Sequence, residues 1–285
     1  MELYTAFPNP AGSTVFSAGH YAAQAAQHPV RTFLQQVIAP RFWLFASLIV
    51  LVLGMQVAFL YDPVYGVYAT ATALAACLII ALCSPAARMV AIATACIPVA
   101  YMVSLCVAQP HPLFRSAVLY ASLFALTLVY RLQFGLARPG SYYRLGFGGY
   151  MRLLPAMLVL GQLFGVLMYG GLRGLYPYAG SSVGMVVGVA VLFASTEELF
   201  FRGLLQPSAA KAMHPGMAAV LSATLFACLS IGTGQWVNTG IAFAMGLVLA
   251  AVYYKNQHVL LTMTLNITAK LVFLGALATL TWGYF

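Results

Sequence analysis

The sequence predicts an all-α fold: a polytopic transmembrane helix bundle of about eight to nine spans, with a short interfacial helix before the first. Three observations predict it. Hydrophobic residues fill 63% of the 285 positions and charged residues only 6%, against about 25% charged in an ordinary soluble domain. Mean hydropathy is +0.93. The apolar residues also form continuous runs, several of them near the roughly 20 residues a helix needs to cross hydrocarbon. They do not alternate in the ~10-residue segments of a membrane β-barrel.

In chain order, residues 1–28 read as a polar tail, without the basic start and apolar core of a cleavable signal peptide. In "PVRTFLQQVIAPRF" (29–42), Val30, Phe33, Leu34, Val37 and Ile38 share one helical face, and Pro29 occupies a tolerated first-turn position. That pattern predicts a helix lying among the headgroups, although a plain juxtamembrane linker fits the same residues. Residues 1–41 thus form a tail and juxtamembrane segment. Spans follow at 42–61, 64–83, 89–108 and 116–130, making an N-terminal membrane region over 42–135. The connection "LARPGSYYRLGFGGYMR" (136–152), with three arginines among glycines and tyrosines, reads as a basic loop at the headgroups. A second membrane region, 153–285, holds spans at 153–172, 183–206, 217–231, 237–254 and 259–282. The runs 116–130 and 217–231 are the shortest. Two small-residue pairs, Gly161/Gly165 and Gly184/Gly188, have the spacing that lets membrane helices approach closely.

The formal net charge is +9, but the basic residues stand singly between apolar runs. That is a pattern of topology signals and not of a nucleic-acid surface. With the N-terminus in the cytoplasm, that side receives Arg31, Arg41, Arg88, Arg131, Arg138, Arg144, Arg152, Lys211 and Lys255, and the other side only Arg115 and Arg173, with Asp62. The asymmetry obeys the positive-inside rule for a multi-pass protein of the cytoplasmic membrane, with nine spans putting the C-terminus outside. The five cysteines lie within apolar segments, so no disulfide framework is expected.

Chemistry concentrates in "VLFASTEELFFRGLLQP" (191–207). Glu197 and Glu198 are two of only four carboxylates in the chain, and Arg202 lies in the same oily run. Ionisable groups within spans are costly, and they usually face a cavity and have a partner. Glu198 and Arg202 are four apart with the acid first, the favourable order for an ion pair. Glu197 points about 100° away, where its own helix offers no equally good base. An unpaired carboxylate in low dielectric can accept a proton near neutral pH, as a general base does. A buried electrostatic clamp between helices is the alternative use of the same three residues.

The stretch "EELFFRGLLQP" resembles the CAAX protease and bacteriocin-processing (CPBP) family of intramembrane endopeptidases, which includes lysostaphin resistance protein A-like proteins. The family motif Glu-Glu-x-x-x-Arg is matched by Glu197, Glu198 and Arg202. The layout of two later motifs is kept over about residues 183–270, in "FACLS" (226–230) and, after "GLVLAAVYYKNQ" (246–257), in "HVLLTMTLNITAK" (258–270). The resemblance implies Glu197 as the water-activating base, Glu198 and Arg202 as its support, and Ser230 and Asn266 at positions where the family carries histidines. A gapless reading puts Asn266 and Lys270 in the third motif; a shifted one pairs Thr262 with Asn266. Serine and asparagine can hydrogen-bond a water or an oxyanion but cannot carry a proton as imidazole does. Losing such a partner costs about 10²–10⁴-fold in rate.

Among other histidines, His258 is the best stand-in and otherwise reads as a solvated loop-edge residue. No zinc signature or nucleophile elbow is present, so neither a metal nor another cofactor is expected. The first reading is therefore an intramembrane endopeptidase acting on a membrane-associated protein or peptide. The second is a catalytically impaired homologue serving as membrane scaffold or substrate-binding subunit. A proton- or cation-coupled transporter is the third, weakened because no broken inverted-repeat pair is evident.

Overall fold

The computed structural model describes residues 40–107, 112–133, 146–172, 183–231 and 236–282. Residues 29–39 of the proposed interfacial helix, most of the loop at 136–152, and Arg173 lie outside the described residues. Within them the chain is helical, with no strand. The helices are α1 (Pro40–Tyr61), α2 (Pro63–Cys83), α3 (Arg88–Leu105), α4 (Pro112–Gln133), α5 (Phe147–Leu172), α6 (Val183–Phe200), α7 (Gln206–Ala210), α8 (Pro215–Ile231), α9 (Trp236–Asn256) and α10 (Val259–Trp282). A π-helical turn, Phe201–Leu205, joins α6 to α7 without a break. Eight stretches are long and apolar enough to cross a membrane. This is an integral, multi-pass membrane protein.

The two short runs behave differently. The fourth extends beyond the apolar stretch 116–130, and Phe114–Gln133 qualifies as a full span. The seventh, α8, has only 17 residues and falls short of the roughly 20 needed. Its surroundings explain how it is tolerated: it packs against α9, α1 and α7 and buries residues around most of its circumference, including Ala218, Ser222, Ala223, Ala227 and Cys228. A helix enclosed by protein need not match the hydrocarbon thickness.

Local signals set the turns between helices. Asp62 accepts a hydrogen bond from the Val64 amide at 2.6 Å, and Pro63 opens α2 one residue later; together they reverse the chain at once after α1. At the other end of the bundle Gln257 adopts a left-handed conformation, φ 51°, which stops α9 and lets α10 begin at Val259. The first four helices run up and down as neighbours, α4 also contacts α6, and α10 lies between α5 and α6. Large apolar side chains such as Leu82, Leu132 and Val159 are exposed on the outside, while Glu197, Glu198 and Arg202 are buried inside. That is the inverse of a soluble protein and suits a lipid solvent.

The two glycine pairs have different fates. A Cβ on Gly161 would meet the Leu265 carbonyl oxygen at 2.6 Å, and one on Gly165 the Ala269 carbonyl oxygen at 2.7 Å. Their bare backbone is what lets α5 lie against α10. Gly184 and Gly188 have nothing within 4 Å and are exposed. Gly165→Val is accordingly expected to destabilise by overpacking, at least about 1–3 kcal/mol, because the obstacle is backbone. Gly188→Val should leave the thermal unfolding midpoint in detergent nearly unchanged.

Candidate functional site

The site is assembled by five helices around the two glutamates of α6. Glu198 Oε1 lies 3.2 Å from Arg202 Nη1, both side chains being fully buried. The π turn that carries Arg202 departs from regular α-helix directly after the acidic pair, a device that recurs at functional sites. The Phe201 carbonyl, which accepts from the Gln206 amide five residues on, also accepts from the Ser222 hydroxyl on α8 at 3.1 Å. Arg202 also donates through Nη2 to the Gly246 carbonyl of α9 at 3.0 Å, and its guanidinium sits 4.8 Å from the centre of the Phe226 ring. Gly246 permits this. A Cβ there would fall 3.1 Å from the Phe226 ring and 3.2 Å from the Ala223 backbone, so only a glycine brings its carbonyl so close to the arginine.

Asn266 of α10 reaches both acids. Its amide nitrogen donates to Glu197 Oε2 and to Glu198 Oε1, each at 2.9 Å. Two carboxylate acceptors on one side fix which end of the amide faces them. One helical turn on, Lys270 Nζ lies 2.9 Å from Glu197 Oε1. The same oxygen accepts from the Tyr120 hydroxyl at 2.8 Å. Tyr120 belongs to α4 and is held by stacking on Phe193 of α6, ring centres 4.1 Å apart. The two acids are thus matched by two cations, Arg202 and Lys270, in one connected network.

Glu197 is therefore not an unpaired acid. Its own helix offers no base, as the spacing indicates, but α10 supplies one from across the bundle. A cavity of about 410 Å³ lies beside the network, walled by Tyr120, Lys270 and Ser230 among others. The carboxylate of Glu197, 2% exposed, is not part of that wall; two of its own hydrogen-bond donors are. Asn266 is drawn to the acids and Ser230 to the cavity. Asn266 and Lys270, the pair of the gapless reading, both touch Glu197. Thr262, from the shifted reading, donates to the Val259 carbonyl of its own helix and also lies against the Glu198 carboxylate.

His258 is neither solvated nor close. It is buried, with its ring 5.4 Å from that of Tyr150. Burial pushes its pKa down, which leaves the imidazole neutral at pH 7. Eight residues of helix put it roughly 12 Å from Asn266 at 1.5 Å per residue. His214 accepts from the Gly216 amide at the start of α8. Neither histidine joins the network.

The family match covers this same constellation. Residues 179–272 match the sequence model of the type II CAAX prenyl endopeptidase Rce1-like family. Over that third of its length, the chain is similar to the Rce1-like endopeptidases. No curated protein and no solved structure matches the chain. The Rce1-like segment contains Glu197, Glu198, Arg202, Ser230, Asn266 and Lys270 but not Tyr120. The fold is a polytopic all-α bundle, and one contact to the acidic pair comes from α4, outside the matched segment.

Sequence reasoning named Lys270 only as a motif position, not as the partner of Glu197, and missed Tyr120. Lys270 had a visible signal: it lies in the middle of an apolar run, and an intramembrane lysine needs a counter-charge. Tyr120 had none, because a tyrosine within a span is unremarkable until its hydroxyl is seen 77 positions away in sequence from the acid it serves.

Proposed function

We propose that this protein is a non-hydrolysing homologue of the Rce1-like peptidases, a membrane scaffold or substrate-binding subunit that keeps the peptidase fold. One observation carries the reading: Glu197 is closed off, Oε1 by Lys270 and Tyr120 and Oε2 by Asn266. A general base must offer an oxygen to the water it activates. Here three of the roughly four acceptor sites of the carboxylate are taken by a salt bridge and two neutral donors, and among the described residues no histidine is hydrogen-bonded to it.

The test is a comparison of membranes containing the wild-type chain with membranes containing Glu197→Gln, scored by new peptide termini among membrane-associated proteins. The expected result is identical termini, with the same partner proteins crosslinked to both. A terminus present with the wild type and lost in Glu197→Gln would sink the reading.

That outcome would favour the second reading, a glutamate-dependent intramembrane endopeptidase acting on a membrane-associated protein or peptide. One observation keeps it in view. Tyr120 and Lys270 line the cavity and touch Glu197, so a substrate that moved Lys270 would admit water to the acid.

A further inference from the structure

The cavity beside Glu197 has a composition that the acidic network does not explain. Most of its lining residues come from one end of the bundle: the last turns of α1, α3, α5 and α8 and the first turns of α2, α4 and α9, with Phe193 of α6 and Lys270, Phe273 and Leu274 of α10 standing nearer mid-helix. Among the described residues two cations line it, Arg115 and Lys270, and no carboxylate does. Arg115 is exposed at the rim, whereas Lys270 is largely buried beside Glu197. The acid nearest in sequence to the rim, Asp62, is engaged by the Val64 amide.

Two amide side chains in the same wall are buried. Gln56, 1% exposed, has only the Tyr101 hydroxyl of the same wall beside its amide, and Asn238 is 2% exposed with its Oδ1 unpartnered. Buried polar groups are rarely left so. The remaining wall is apolar, with Ile97, Leu119, Phe193 and Phe273 among its side chains. Cations, amide groups and greasy walls in a cavity of a few hundred Å³ are the features of a site for an amphiphile with an acidic head.

We propose that this cavity binds the headgroup region of an anionic membrane lipid, with Arg115 and Lys270 facing the phosphate and Gln56 and Asn238 hydrogen-bonding the polar backbone of the lipid. A lipid fits better than a soluble anion because Pro63, Arg115 and Asn238 stand in the first turns of their helices, where a spanning helix meets the headgroups, and the walls are apolar. The exposed cation at the rim and the buried one deeper in form a graded path for one negative charge. Lys270 is shared: a bound phosphate competes with Glu197 for it. The proposal does not depend on whether Glu197 hydrolyses anything, and its readout is lipid retention, not cleavage.

The experiment uses the full chain purified in neutral detergent and reconstituted into nanodiscs of phosphatidylcholine with a minor fraction of phosphatidylglycerol. Lipid retained after delipidating washes is measured by native mass spectrometry. Phosphatidylglycerol is expected to be retained in preference to phosphatidylcholine, at one molecule per chain. Arg115→Gln, at an exposed position where folding is not at stake, should lower that retention roughly five-fold. The paired variant Glu197→Gln/Lys270→Gln, which removes both charges of the bridge together, should lower it similarly. Lys255→Gln, an exposed cation at the other end of the bundle, should not change it. Equal retention of the two lipids, or equal loss from Arg115→Gln and Lys255→Gln, would overturn the proposal. So would displacement of the lipid by inorganic phosphate or by a peptide with a free C-terminal carboxylate, since either would make the lipid a surrogate.

Discussion

Arg202→Met is expected to remove nearly all folded protein from the membrane. The guanidinium is fully buried and holds three partners at once: the Glu198 carboxylate, the Gly246 carbonyl and the face of Phe226. Breaking a buried ion pair from one side costs about 3–5 kcal/mol, because the remaining charge stays in low dielectric without compensation. That is a large part of the 5–15 kcal/mol available to a typical folded domain. The measurement is the monodisperse fraction recovered in detergent and its unfolding midpoint. Glu198→Gln/Arg202→Met should recover part of the loss, since no charge is then stranded. If the double variant is as poor as the single, the loss comes from packing against Phe226 and not from the unpaired acid.

Lys270→Met is expected to have the second-largest effect and to be rescued more completely. Its Nζ is 2.9 Å from Glu197 Oε1, and its side chain is 13% exposed against 3% for the acid. Removing the lysine strands a buried carboxylate that keeps only the Tyr120 and Asn266 donors. Some water reaches the lysine, so the cost should be lower than for Arg202, about 2–3 kcal/mol, below the usual range for a fully buried pair. Glu197→Gln/Lys270→Met should return most of the stability, because a neutral amide can still accept from Tyr120. The measured quantity is the coupling energy of the double-mutant cycle. A coupling near zero would mean that Lys270 and Glu197 are neighbours without being an energetic pair. The same Lys270→Met variant also bears on chemistry, as it uncovers Glu197 toward the cavity. Glutamate-dependent cleavage that appeared only in this variant would show that the lysine is what holds the site closed.

Much of the site was legible from spacing. An acid and a base four apart on a helix meet with little help from elsewhere, so the Glu198–Arg202 pair follows from the helix alone. The Gly161/Gly165 pair announced a close approach, although the same motif at Gly184/Gly188 faces outward with nothing against it. Composition cannot separate those cases, because a small residue permits contact without requiring it. The span at 217–231 likewise looked like its neighbours by hydropathy, and only its enclosure by other helices shows how 17 residues suffice.

What the sequence by itself determined is the solvent of this protein, its helical class and the local half of its acidic cluster. Hydropathy and the i, i+4 geometry of one helix require nothing distant. What only the tertiary structure decided is the state of Glu197. Whether that carboxylate is a free base or a held anion depends on Lys270 and Tyr120, which arrive from helices 73 and 77 residues away in sequence. The interaction of charges across a bundle is set by distances between helices, and no periodicity along a single chain encodes those distances.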